Sequence, residues 1–132
     1  RSIRRIKADE MAEFGLKGPH VSCLYYLYSF GALTASELCD RCDEDKAAIS
    51  RSIEFLENEG YITCKSTMQK RYRSPLELTE KGKNAGKMIS RKINSIVAAA
   101  SAGLSECERE TMYAALSLIS DNLAAISGHK DK

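Results

Sequence analysis

Apolar residues recur at helical spacing along most of the chain, and the pattern changes once, near the middle. From Ser2 to Phe14 they fall at Ile3, Ile6, Met11 and Phe14, which predicts an amphipathic helix with a basic start, cut short at Gly15. Pro19, whose fixed φ suits a first helical turn, opens a second helix. It carries Val21, Cys23, Leu24, Leu27 and Phe30 and stops at Gly31. Thr34-Ala35-Ser36-Glu37 is a capping box, in which the Thr34 hydroxyl accepts from the Glu37 amide and the Glu37 side chain reaches back. A short helix to about Cys42 follows. Asp43 to Asp45 make a turn, and Asp45 caps the next helix, where Ile49, Ile53 and Leu56 form one inward stripe. Gly60 fits the left-handed position after the last turn.

Tyr61 to Lys65 and Leu76 to Leu78 are short and β-compatible, and the tract between them is polar and basic, so a hairpin is expected. Thr79 caps a long helix through about Ala102, with Ile89, Ile93, Ile96 and Val97 on one face. Ser105-Glu106-Cys107-Glu108 is a second capping box. The last helix carries Met112, Leu116, Ile119, Leu123 and Ile126 and ends at Gly128, before the tail HKDK. The predicted fold is mainly α with a small β-hairpin, in a single domain over 1–132. A central part, 33–82, is flanked by helical parts at 1–32 and 83–128. The flanking stripes are more than the central core can cover, so they are expected to pack against a second copy in a symmetric dimer.

Composition narrows the classes. Hydrophobic residues are 43% and charged residues 29% of 132 residues, which suits a globular chain. No apolar run approaches the ~20 residues of a membrane span, so no membrane partner is expected. The charged N-terminus, RSIRRIKADE, lacks the apolar centre of a secretion signal. Five cysteines, an odd number without secreted-scaffold spacing, fit a reducing cytoplasm. The formal charge is only +2, so nucleic-acid binding needs a local patch rather than a net excess.

Such a patch is present. With Ile49, Ile53 and Leu56 inward, the opposite face of that helix carries Lys46, Ala47, Ser50 and Arg51. Ala47 lets the backbone approach closely, Ser50 is a donor, and Arg51 has the planar fork that matches guanine or phosphate. Alone, the face is equally a solvated surface. The neighbouring tract adds Lys65, Lys70, Arg71 and Arg73 with no acid between them, cations that repel unless a polyanion is near. A cationic hairpin tip suits a minor groove, although a solvated loop is the plainer reading.

From Gly15 to Gly82 the chain resembles the MarR family of bacterial winged-helix transcription regulators. GLKGPHVSCLYYL is similar to the start of that family's second helix, LTASELCDRCDEDKAAISRSIEFLENEGYI to its helix-turn-helix, LELTEKG to the end of its wing, and GLSECERETMYAALSLISDNL to its closing dimerisation helix. The resemblance implies a winged helix-turn-helix flanked by N- and C-terminal dimerisation helices. It also implies a homodimer on near-palindromic double-stranded DNA, most often as a ligand-responsive repressor. Carried over by position, Lys46, Ala47, Ser50 and Arg51 fall on the DNA-reading helix and Arg71 on the wing tip. The chain departs from the family at Lys70-Arg71-Tyr72, where an Asp and two Arg are usual, at Glu44, usually apolar, and at Cys64, usually Arg. The missing acid implies a wing tip without its usual bracing salt bridge. A winged-helix interaction module without DNA binding is the alternative those departures motivate, and a cysteine-based redox-responsive regulator is another.

The remaining chemistry is sparse. Cys39 and Cys42 lie at i, i+3 on a helix and, like Cys23, fall at apolar positions, so they are expected as buried filler. Cys64 and Cys107 are the expected exposed thiols. His20 and Cys23 share a helix face, but His129 sits in the tail, and neither a metal nor any other cofactor is assigned. Tyr25, Tyr26, Tyr28 and Phe30 crowd one helix, as packing or as the wall of an effector pocket formed with His20, Tyr25 and Tyr28. The matching ligand would be a small aromatic or amphipathic molecule. With no nucleophile–base pairing, phosphate-cradling loop or two-His motif, no enzyme is expected.

Overall fold

In a computed structural model the described residues are 1–64 and 74–128, with Ile3, Arg4 and Lys7 described by backbone alone. The elements run α1 (Ser2–Met11), a 3₁₀ turn (Ala12–Phe14), α2 (Gly18–Phe30), α3 (Ala35–Cys42), α4 (Lys46–Asn58), β1 (Ile62–Cys64), β2 (Leu76–Leu78), α5 (Glu80–Ala100) and α6 (Glu106–Gly128). The expectation of a mainly helical chain with one antiparallel hairpin holds.

The caps explain most boundaries. α1 stops early because Gly15 turns left-handed at φ 71° and its amide donates to the Ala12 carbonyl at 3.0 Å, tightening the end. Met11 is buried there while Phe14, expected on the same stripe, is 40% exposed. Gly60 closes α4 at φ 78°, as its position predicted. Ser105 accepts from the Glu108 amide at 3.1 Å at the start of α6.

The contacts divide the chain into two units, Arg1–Asn94 and Ser95–Lys132. In the first, α2 packs against α1, α3, α4 and β2. Its Val21, Cys23, Leu24 and Leu27 meet Leu38 of α3, Ile49 and Leu56 of α4, Ile62 and Leu76 of the hairpin and Ile89 of α5 in one core. β1 and β2 pair as Ile62↔Leu78, Thr63↔Glu77 and Cys64↔Leu76. Leu33 adds a third line that the apolar pattern did not reveal: its amide and carbonyl exchange bonds with Leu76 at 3.3 and 2.8 Å. In the second unit α6 holds no buried residue, and Leu116, Ile119, Leu123 and Ile126 are 54–60% exposed.

Two details position the helices. His20 caps α2: its Nδ1 accepts from the Lys17 amide at 3.0 Å, and its ring lies parallel to that of Phe55 on α4, centroids 4.1 Å apart. Burial, aided by Lys17, lowers the His20 pKa below the ordinary 6.5. The second detail is the start of α5. The Thr79 hydroxyl lies 2.6 Å from the Gly60 carbonyl and accepts from the Gly82 amide at 3.1 Å. Gly82 lies so close to the Tyr61 carbonyl that a Cβ would collide with it, and a Cβ on Gly86 would come within 2.7 Å of the Tyr28 Cβ.

Two outcomes follow from this geometry. Gly82→Ala should lose about 1–3 kcal/mol in urea denaturation, because the obstructing atom is backbone and cannot rotate away. Gly18→Ala, which meets open space, should lose far less. The neutral His20 imidazole is the form the fold prefers, so the unfolded chain takes up the proton first. Stability is then whole above about pH 6.5 and falls as pH drops from there through the lowered folded pKa. In His20→Gln, whose amide oxygen keeps an acceptor at the cap, that part of the slope should vanish.

Candidate nucleic-acid interface

The candidate interface is built from α3, its turn and α4. The Thr34 amide donates to Glu37 Oε2 at 2.8 Å and the Glu37 amide to Thr34 Oγ1 at 3.2 Å, so the capping box forms as its residues predicted. That donation, first from the Thr34 backbone, holds the Glu37 carboxyl below its usual range. α3 ends at Asp43, a non-glycine residue at φ 52°, a conformation that Asp tolerates better than most. α4 then starts on Asp45, whose Oδ1 accepts from the Ala48 amide at 2.7 Å.

These caps set the rotation of α4. Ile49 and Leu56 are buried, with Ile53 half-buried beside them. Ser52 is buried too and satisfies its hydroxyl within the helix, donating to the Ala48 carbonyl at 2.9 Å. Lys46, Ala47, Ser50 and Arg51 are all exposed, on the N-terminal half of α4. Here the structure brings together four of the predicted residues. The others, Lys65, Lys70, Arg71 and Arg73, lie outside the described residues.

A cavity of about 730 Å³ opens between α3, α4 and the hairpin. Ser36 and Cys39 line it from α3, Lys46, Ser50 and Glu54 from α4, and Cys64 from β1. Its size is that of a small organic ligand. Two of its walls, Lys46 and Ser50, also belong to the exposed face of α4.

The predicted effector residues do not converge. His20 is committed to the α2 cap and to Phe55. Tyr25 stands edge-on to Tyr26 at 5.4 Å, while Tyr28 packs toward Gly86 and lines a second, smaller hollow of about 430 Å³ with Leu27 and Lys83. None of the three lines the larger cavity. They are spread around α2, whose neighbours occupy each face separately. Phe30, at the end of that helix, lies under the Arg41 guanidinium at 3.9 Å.

Among the thiols, Cys23 is buried, Cys39 and Cys42 are half-buried, and Cys107 is exposed. Cys64 is half-buried rather than exposed, because β1 pairs it with the buried Leu76 beside the cavity. Among the described residues no group of His, Cys, Asp and Glu is arranged to hold a metal, and no helix is long and apolar enough to cross a membrane. The role of His20 as a cap was the main omission of the sequence reading. Its signal was position: it stands three residues after Lys17, where a capping side chain reaches back to the first amide.

The MarR family model matches residues 14–71. No curated protein matches the chain. Among solved structures, the chain is similar to a MarR-family regulator of Listeria monocytogenes complexed with a 26mer DNA, with 26% identity, TM-score 0.82 and coverage of 95% of this chain and 83% of that one. It is also similar in fold to the transcriptional regulator SlyA, with 24% identity, TM-score 0.78 and coverage of 95% and 88%. A third likeness in fold is Staphylococcus aureus MarR in complex with salicylate and kanamycin, with 13% identity, TM-score 0.79 and coverage of 94% and 84%.

Proposed function

Because the chain belongs to the MarR family of winged helix-turn-helix regulators, we propose that it is a homodimeric, sequence-specific double-stranded DNA-binding transcription regulator, acting as a ligand-responsive repressor. The observation that carries this is α4: a helix capped at its N-terminus, rotated so that Lys46, Ala47, Ser50 and Arg51 face outward together. An α-helix of this kind fits the major groove, where Arg51 reads guanine or grips phosphate and Ala47 keeps the backbone close. The basic tract from Lys65 to Arg73 supplies the second contact, to the adjacent groove. Residues 33–82 are the DNA-contacting part in this reading, and 1–32 with 83–128 are the dimerisation parts.

The exposed apolar stripe of α6 supports a second copy. Leu116, Ile119, Leu123 and Ile126 repeat at helical spacing and stand open to solvent. Pairing two chains would let their α4 helices address successive major grooves about 34 Å apart. The Listeria relative complexed with DNA supports the nucleic-acid partner, and the S. aureus relative complexed with salicylate supports a small effector. The cavity beside α4 is the better effector site than the dispersed His20, Tyr25 and Tyr28, since an occupant there would crowd Lys46 and Ser50.

Fluorescence anisotropy on the DNA upstream of the protein's own gene tests the reading. Binding should weaken steeply with salt, as phosphate contacts require. Arg51→Ala should weaken it about 10- to 100-fold, the range of one lost bidentate contact. Absence of binding at low salt would sink the proposal. Leu123→Glu should convert the dimer to a monomer in sedimentation experiments and weaken DNA binding with it. A wild-type chain that sediments as a monomer would remove the paired-helix arrangement.

A further inference from the structure

Along α4 the exposed residues are Lys46, Ala47, Ser50, Arg51, Glu54 and Asn58. The first four were expected on a DNA-reading face, and Glu54 was not. The buried line of the helix is Ile49, Ser52 and Leu56. At about 100° per residue, Ala47 and Glu54 both lie about 170° from the middle of that line and within about 20° of each other. Ser50 and Arg51 flank them on either side, and Lys46 lies nearer the edge. Glu54 is thus as outward as any residue of α4, and it is the one acid among the exposed residues of that helix.

Its carboxylate is uncommitted. Arg51 stands three residues before it, a spacing at which opposite charges meet on a helix. Among the described residues, however, no ion pair joins the two, and the Glu54 side chain has no hydrogen-bond partner. It shares the wall of the larger cavity with Lys46 and Ser50. A carboxylate at the centre of a face that meets a polyanion is repelled by phosphate and needs a donor opposite it. The base edges of the major groove supply one. Guanine presents two acceptors there, thymine an acceptor and a methyl group, and adenine an acceptor beside its amino group. Cytosine presents only its N4 amino donor.

We propose that Glu54 is a specificity-determining residue that accepts a hydrogen bond from the N4 amino group of a cytosine in each operator half-site; this rests on the DNA-binding reading above. The spacing suits a helix lying in the groove. Ala47, Ser50, Arg51 and Glu54 stand at i, i+3, i+4 and i+7, the offsets at which the groove helix of a homeodomain reaches base edges. At 1.5 Å per residue, Ala47 and Glu54 are about 10.5 Å apart along the axis, or about three base-pair steps. Arg51 and Glu54 are about 4.5 Å apart, which brings the bases they read within about two steps. The two charges then divide the reading: Arg51 takes acceptors and Glu54 takes a donor. The acid also penalises every other base at its position, since each turns an acceptor toward it.

Binding-site selection from a randomised duplex pool, run with the wild-type chain, Glu54→Ala and Glu54→Gln, tests the assignment. Circular dichroism checks the fold of each variant, which an exposed position should leave intact. The wild-type chain should enrich cytosine at one position of each half-site, preferring it about fivefold or more over the other bases. Glu54→Ala should lose that preference and keep those at other positions. Glu54→Gln should move it to adenine, whose N6 and N7 match the Gln amide. Anisotropy on the selected duplex and its single-base variants measures the ratios. An unchanged base profile in both variants would overturn the proposal. So would a Glu54→Ala chain that binds every duplex more tightly by the same factor, since the carboxylate would then only repel. A wild-type chain that enriches no sequence would remove the proposed function and this inference with it. An enriched operator indifferent to residue 54 would remove the inference alone.

Discussion

Most of the first unit hangs on one joint, where the end of α4, the first strand and the start of α5 meet within a few residues of backbone. Gly60 turns left-handed and sends the chain into Tyr61, whose amide donates back to Leu56 at 2.8 Å. Thr79 returns from the second strand and closes the joint: its amide donates to the Tyr61 carbonyl at 3.0 Å and its hydroxyl reaches Gly60 at 2.6 Å. Lys81 adds a bond to the Glu59 carbonyl at 2.6 Å and sets its ammonium over the Tyr61 ring at 4.3 Å. Gly82 is the residue that lets α5 come this close. The hairpin is only three residues deep on each side, too short to hold its own orientation. This joint, with the Leu33 bridge on the other edge, holds it beside α4.

The outward face of α4 is a consequence of that packing and of two caps. Thr34 and Asp45 begin α3 and α4 at defined residues, and the buried Ile49 and Leu56 fix the rotation. Lys46, Ala47, Ser50 and Arg51 are then presented by subtraction, as the side with no core to join. The cavity next to them opens between α3, α4 and the hairpin, with the small side chains of Ala35 and Ser36 among its walls. The ligand-sized space therefore lies against the exposed Lys46 and Ser50 of α4. In the second unit α6 has the opposite character: a regular helix whose apolar stripe holds no buried residue.

Local signals were legible wherever the physics is local. Thr34, Asp45, Gly60, Thr79 and Ser105 all act as their spacing indicated, because a cap depends on residues three or four apart. Ile49 and Leu56 were legible for the same reason. Phe14 was misread because a 3₁₀ turn breaks the helical period just before it. His20 was misread because its partner Phe55 is far away in sequence, and its cap uses a residue type seldom associated with that position. The candidate site was half legible: Lys46, Ala47, Ser50 and Arg51 share a face as expected, while the cavity, assembled from four elements, had no sequence signature at all.

What the sequence determined by itself was the order of elements, their ends and the stripe each buries, since these follow from backbone capping and side-chain periodicity within a few residues. What only the tertiary structure decided was which groups meet across elements. Leu33 pairs with Leu76, Gly82 admits the Tyr61 carbonyl, and His20 lies on Phe55. Periodicity tells that a residue faces inward but not what it faces. That identity depends on how helices cross, and the crossings are set by the whole core at once.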